Sequence, residues 1–147
     1  MLNLLENSIL LTVIFSTFTA QALKSLIILI LDRKLILNRM IETGGMPSSH
    51  SSTVATLATS MGLVYGWDSP YFTISMVLAG IVIHDATGVR AAAGRQAEVL
   101  NDITQELAHL FQHGYEPRVL KTLLGHTYPQ AVAGTILGIG IAFAVFR

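Results

Sequence analysis

The chain has 147 residues, of which 52% are hydrophobic and only 12% charged, with zero formal net charge at pH 7 and a mean hydropathy of +0.59. A soluble domain carries about 25% charged residues, so the composition points to a membrane protein, and a neutral chain lacks the basic footprint of a nucleic-acid binder. With no cysteine, disulfides, thiolate nucleophiles and sulfur-ligated metals are excluded.

The first apolar run, about 8–31, is longer than the roughly 7–15-residue core of a secretory signal and has no basic leader, so it reads as a retained transmembrane helix. Lys24 lies about two turns before its end, within snorkelling reach of the interface. A short polar loop over 32–46 carries Arg33, Lys34 and Arg39.

The densest polar stretch follows, from Gly44 and Gly45 through Met46, Pro47, Ser48, Ser49, His50, Ser51 and Ser52 to Thr53. Pro47 near the first helical position, with Ser48 or Ser49 as N-cap, predicts a helix start. Unpaired N–H groups and the positive end of the helix dipole suit an anion there, and the hydroxyls and a titratable imidazole add to a phosphate site. The same residues also suit a well-capped helix whose histidine merely faces water.

The second span, about 48–65, is rich in Ser, Thr and Ala and is expected inside the bundle. Gly66, Trp67, Asp68, Ser69 and Pro70 form a tight turn with Trp67 as an interfacial anchor, and a third span runs over about 71–89. Between 90 and 126 lies an insertion in which Val99, Leu100, Ile103, Leu107, Leu110 and Phe111 recur at helical spacing, predicting an amphipathic helix that Gly114 ends. On it Arg95, Gln96, Glu98 and Asn101 read as a solvated face, and His109 with His113 has metal-ligand spacing but no third ligand, so no metal is expected. The fourth span, about 127–146, opens with a Thr127–Gln130 capping box and carries Gly134 and Gly138 at the spacing of close helix packing.

Seven Lys and Arg residues fall on the two long connections (Arg33, Lys34, Arg39, Arg90, Arg95, Arg118 and Lys121) against Arg147 alone on the other side, which puts both connections in the cytoplasm. The expected fold is therefore an all-α integral-membrane bundle forming one domain over 1–147, with about four spans and a cytoplasmic amphipathic helix. In that topology Lys24, His50, Asp85, Arg90 and His126 converge on one membrane face. Two histidines at facing helix starts allow a division of labour, one attacking phosphorus and the other protonating the departing oxygen.

Met46-Pro-Ser-Ser-His-Ser51, then Asp85-Ala-Thr-Gly-Val-Arg90 with the residues to Asn101, and then Gly125-His-Thr-Tyr-Pro-Gln-Ala-Val-Ala-Gly134 resemble the divergent branch of the type 2 phosphatidic acid phosphatase and vanadium haloperoxidase superfamily. The wider family carries Lys-x6-Arg-Pro, Pro-Ser-Gly-His and Ser-Arg-x5-His-x3-Asp. It is an all-helical bundle that hydrolyses phosphomonoesters through a phosphohistidine, without a metal or other cofactor. The resemblance implies His126 as nucleophile and His50 as general acid, with Ser48 and Ser49 at the phosphate; no Arg-Pro follows Lys24 and no arginine precedes His126 at the family's spacing, so Lys24, Arg90 and Lys121 are the candidate stand-ins for its phosphate-holding cations. It departs from the family pattern at Ser49, in place of glycine, and at Gln130, in place of the aspartate that polarises the nucleophile. Asp85 is the candidate substitute for that carboxylate. The implied substrate is a membrane lipid phosphate in a bacterial cytoplasmic membrane, with a homo-oligomer expected because four spans make a thin bundle. A phospholipid or phosphate binder without turnover, and a scaffold subunit docking a partner through its cytoplasmic helix, are the two other expectations.

Overall fold

The computed structural model describes residues 6–32, 45–107, 119–122 and 124–147, and no strand occurs among them. The loop over 33–44, the histidines at 109 and 113, and the expected helix end at Gly114 lie outside the described residues, as does the Asp32 side chain.

Helix α1 (Ser8–Asp32) starts where Asn7 Oδ1 accepts the Leu10 N–H at 3.0 Å. Its inward face is not its most apolar one. Thr12, Ser16, Ala20 and Lys24, spaced by four, are buried, while Ile14, Phe15, Phe18 and Ile30 are exposed. That inversion suits a helix with lipid outside and a polar neighbour inside.

The neighbour is α2 (Ser49–Tyr65), which packs against α1, α3 (Pro70–His84) and α5 (Tyr128–Phe146). Three of its hydroxyls are satisfied across the α1 contact. Ser16 Oγ pairs with Ser52 Oγ at 2.7 Å and accepts from Thr56 Oγ1 at 2.7 Å, and Thr17 and Thr53 pair at 2.7 Å. Such bonds inside a membrane bundle contribute roughly 0.6–1.7 kcal/mol each. Against α3 the contact turns apolar, with Val54, Ala58 and Ala79 buried and Val82 and Ile83 packed on them.

Against α5 the backbones themselves touch. A Cβ on Gly134 would lie 2.2 Å from the Ser48 carbonyl oxygen, and one on Gly138 would lie 2.3 Å from that of Ser52. Thr56 Oγ1 also lies 3.1 Å from the Gly138 carbonyl oxygen. The two glycines of the fourth span thus serve close packing.

Among the described residues, three helices are long and apolar enough to cross a membrane: α1, α5, and a continuous helix over Pro70–Glu106. The expected second span is a 17-residue helix enclosed by the others, so its hydroxyls meet protein rather than lipid. The third differs more. The insertion was expected to leave the helix at Arg90, but α3 passes through a π-helical turn (Asp85–Val89) into α4 (Arg90–Glu106). No proline interrupts 85–106, no side-chain cap bond forms at Val89, and Ala91 to Ala93 are strong helix formers, so the chain widens by one residue instead of breaking. At 1.5 Å per residue the combined helix is roughly 55 Å long, well beyond a bilayer core of about 30 Å.

Candidate active site

Three pieces of chain meet at one end of the bundle: the start of α2, the π turn, and the start of α5. Ser48 is the N-cap of α2, with its Oγ accepting the Ser51 N–H at 3.3 Å and the Ser51 hydroxyl at 3.1 Å. Pro47 therefore precedes the cap instead of opening the helix. Ser48 N–H donates to the Gln130 carbonyl at 3.0 Å, tying the two helix starts together.

The π turn holds the other side. Its wider winding leaves the Ala86 carbonyl outside the α-helical ladder, and the backbone N–H of His126 donates to it at 2.8 Å. Gly125 takes φ +83°, and a Cβ there would fall 2.5 Å from the Ala91 nitrogen, so both its conformation and its closeness to the helix require glycine. Upstream, residues 119–122 run along α4. Asn101 Nδ2 donates to the Leu120 carbonyl and Asn101 Oδ1 accepts the Leu120 N–H, each at 2.9 Å. Asn101 is thus a docking residue and not part of a solvated face, whereas Arg95 and Glu98 are exposed as expected. Asn101→Ala removes two hydrogen bonds to one backbone unit, a loss of about 2 kcal/mol. Hydrogen exchange at Leu120 should then accelerate while exchange in α2 stays unchanged, measured by mass spectrometry.

The imidazoles of His50 and His126 face each other with ring centroids 6.0 Å apart and planes at 59°. Between α3 and the start of α5 they line a cleft of about 260 Å³ with Ile81, Val82, Asp85, Ala86, Arg90 and Gly125. The volume lies just under the range of small-molecule pockets and suits a headgroup more than a whole lipid. Arg90 Nε donates to Asp85 Oδ2 at 2.6 Å, leaving its terminal nitrogens for the cleft. Lys24 reaches in from α1 with 5% of its surface exposed, its stem against Gly45, and its charge is felt by both histidines.

His126 is buried at 6% exposure. Its Nδ1 lies 3.3 Å from Gln130 Oε1, and its buried Nε2 has no partner of good hydrogen-bond geometry among the described residues. Burial holds its pKa below the ordinary 6.5. The Gln130 bond and the nearby Gly45 backbone oppose that shift, and the charges of His50 and Lys24 reinforce it.

The predicted residues therefore divide. His50, His126, Asp85 and Arg90 share the cleft and Lys24 adjoins it. Ser48 is wholly buried with its oxygen used in capping, Ser49 Oγ accepts from Gln21 Nε2 at 3.3 Å, and Lys121 is exposed and does not line the cleft. Asp85 pairs with Arg90 one turn along its own helix, and the group at His126 Nδ1 is Gln130. Ala86 was invisible to sequence reasoning, since its contribution is a backbone carbonyl. Asn101 offered only its place two turns beyond Gly94, whose absent side chain lets Thr122 and Leu124 pass.

A family model described as the divergent PAP2 family matches residues 5–141. The chain belongs to the divergent PAP2 family. It is similar to a protein of Bacillus subtilis (strain 168) named "Uncharacterized membrane protein YuiD", with 37% identity over 147 residues, covering 94% of this chain and 93% of that one. No solved structure matches. This divergent PAP2 protein is thus an all-helical membrane protein whose family matches the resemblance read from its motifs.

Proposed function

We propose that the protein is a membrane-embedded phosphatase acting on a lipid phosphomonoester at the cytoplasmic face. Supporting this is the pair of imidazoles 6.0 Å apart across a headgroup-sized cleft, one of them buried with no partner of good geometry for its Nε2 among the described residues. His126 Nε2 attacks phosphorus, the bond from phosphorus to the ester oxygen breaks, and protonated His50 gives that oxygen its proton. Water then attacks the phosphohistidine, neutral His50 takes its proton, and the P–N bond breaks to release inorganic phosphate and restore His126. Arg90 and Lys24 stabilise charge on the non-bridging oxygens, and Asp85 holds Arg90 in place. The apolar wall of Ile81 and Val82 lies on the side where α3 is exposed, which suits a substrate whose tail stays in the bilayer. The cytoplasmic orientation rests on the seven-to-one distribution of Lys and Arg, and the count of four spans on the four apolar segments of the sequence.

The test is phosphate release by the purified protein from a panel of lipid phosphates, with acid-labile phosphate trapped at His126. No release from any of them by folded protein would favour a phosphate or phospholipid binder without turnover, for which neutral Gln130 in place of a carboxylate is the supporting observation.

A pH dependence follows for the nucleophile. Because the folded His126 pKa is lowered, its neutral ring persists below 6.5, with Lys24, His50, Asp85 and Arg90 as the charged or titratable groups around it. The acid limb of kcat/KM assigned to His126 should fall below pH 6.5. The stability gained from burying the neutral ring should be complete above 6.5 and decline as pH falls from there through the depressed value. A limb above 6.5 that moves on mutating Gln130 would contradict this.

A further inference from the structure

We propose that Gly94 and Asn101 fix the rotational register of the α3–α4 helix, which makes Asn101 a positioning residue for the cleft from about 22 Å along the helix axis. What this does to turnover rests on the phosphatase proposal above, whereas the register itself is independent of it.

The cleft needs the π register. Arg90 N–H bonds the Asp85 carbonyl five residues back, so the Ala86 carbonyl gives up the donor an α-helix would supply. It accepts the His126 N–H at 2.8 Å instead. The same winding aligns Asp85 with Arg90. Five residues apart in an α-helix, their side chains would stand about 140° apart round the axis, too far for the 2.6 Å pair at the edge of the cleft. Rewinding the turn as α-helix would therefore undo two cleft contacts at once.

The Asp85–Arg90 pair is too exposed to hold that register by itself, since pairs of this kind contribute little. The stronger hold lies in α4. The π turn takes up one extra residue, so each residue of α4 occupies the place its predecessor would take in an unbroken α-helix. Rewinding would turn α4 by about 100° and put Ala93 in the place of Gly94 and Leu100 in that of Asn101.

Neither replacement fits the chain that runs back along α4. A Cβ in the place of Gly94 would lie 2.6 Å from the Thr122 carbonyl oxygen and 3.0 Å from that of Leu124, and both obstacles are backbone. Leucine has neither the donor nor the acceptor that Asn101 gives to the Leu120 peptide groups, each at 2.9 Å. The returning chain cannot turn with α4, because it leads into the start of α5. Gly94 and Asn101, seven residues apart and so on one face of α4, thus accept the π register and reject the α register.

The experiment is amide hydrogen exchange by NMR on the full chain in detergent micelles. It is read at Leu120 and His126, with α2 amides reporting the folded bundle. Asn101→Ala removes two hydrogen bonds and should speed exchange at both amides by up to about 30-fold. Acceleration at Leu120 alone would mark a purely local dock and overturn the proposal. A second variant moves the pair by one residue, combining Ala93→Gly, Gly94→Ala, Leu100→Asn and Asn101→Leu. It should keep Leu120 protected, open His126 N–H to exchange and lower kcat by about 10²-fold or more. A protected His126 in that variant, or fast exchange at both amides over a protected α2, would overturn the proposal. The expected exchange in a protein that releases no phosphate would support the register while ending the phosphatase proposal.

Discussion

His126→Ala should abolish phosphate release from every substrate, a fall of at least about 10³-fold, whereas the effect of His50→Ala should depend on the leaving group. Without Nε2 no phosphohistidine forms, whatever is bound. The contribution of an acid scales with the basicity of the departing oxygen and reaches roughly 10²–10⁴-fold for an alkoxide. An aryl phosphate departs as a weakly basic phenoxide and barely needs the proton. With an aryl ester of similar apolar bulk, His50→Ala should therefore phosphorylate His126 at a near-normal rate and then stall, because the second step still needs a base to activate water. A burst of phenol followed by slow turnover, seen by stopped-flow absorbance, is the expected signature. Equal losses on lipid and aryl substrates would deny His50 its role as acid. Residual turnover in His126→Ala would move the nucleophile elsewhere.

The second large effect is expected far from the cleft in chemistry but not in distance. Gly134→Ala sets a methyl group 2.2 Å from the Ser48 carbonyl oxygen. The obstacle is backbone, so no rotamer relieves it and α5 must retreat from α2. Overpacking of this kind costs about 3 kcal/mol, or a Tm lower by roughly 10 °C in a chain of this length. Activity should fall further than stability. Ser48 N–H is bonded to the Gln130 carbonyl, so moving α5 shifts His126 relative to His50, and misplacement by about 1 Å costs around 10²-fold. Gly140→Ala is the control, because nothing lies within 4 Å of the Cβ it would add. A Gly134→Ala protein with normal kcat at 20 °C, well below its Tm, would show that the helix contact does not set the site.

The helices were legible because their signals are local. Apolar length marked α1, α3 and α5, Ser48 and the Thr127–Gln130 pair marked two helix starts, and small-residue spacing marked Gly134 and Gly138 for close packing, though not against which helix. The motifs containing His50 and His126 also carried the family, which the match over residues 5–141 shows. Hydropathy and capping act within one or two turns, so one chain read in order is enough to find them.

The pairings were decided by tertiary structure. Asp85 was equally suited to His126 and to Arg90 by residue type, and the winding of the π turn sends its carboxylate to Arg90. Gln130 counted as a departure from a motif until its oxygen was found between Thr127 N–H and His126 Nδ1. Asn101 read as one polar residue on a wet helix until residues 119–122 lay against it. In each case the sequence alone determined which groups are available; the winding of one helix and the cap of another decided the partners of Asp85 and Gln130, and a contact between segments 19 residues apart decided that of Asn101. Hydrogen bonds have direction and a reach of about 3 Å, and neither is written in the order of the residues.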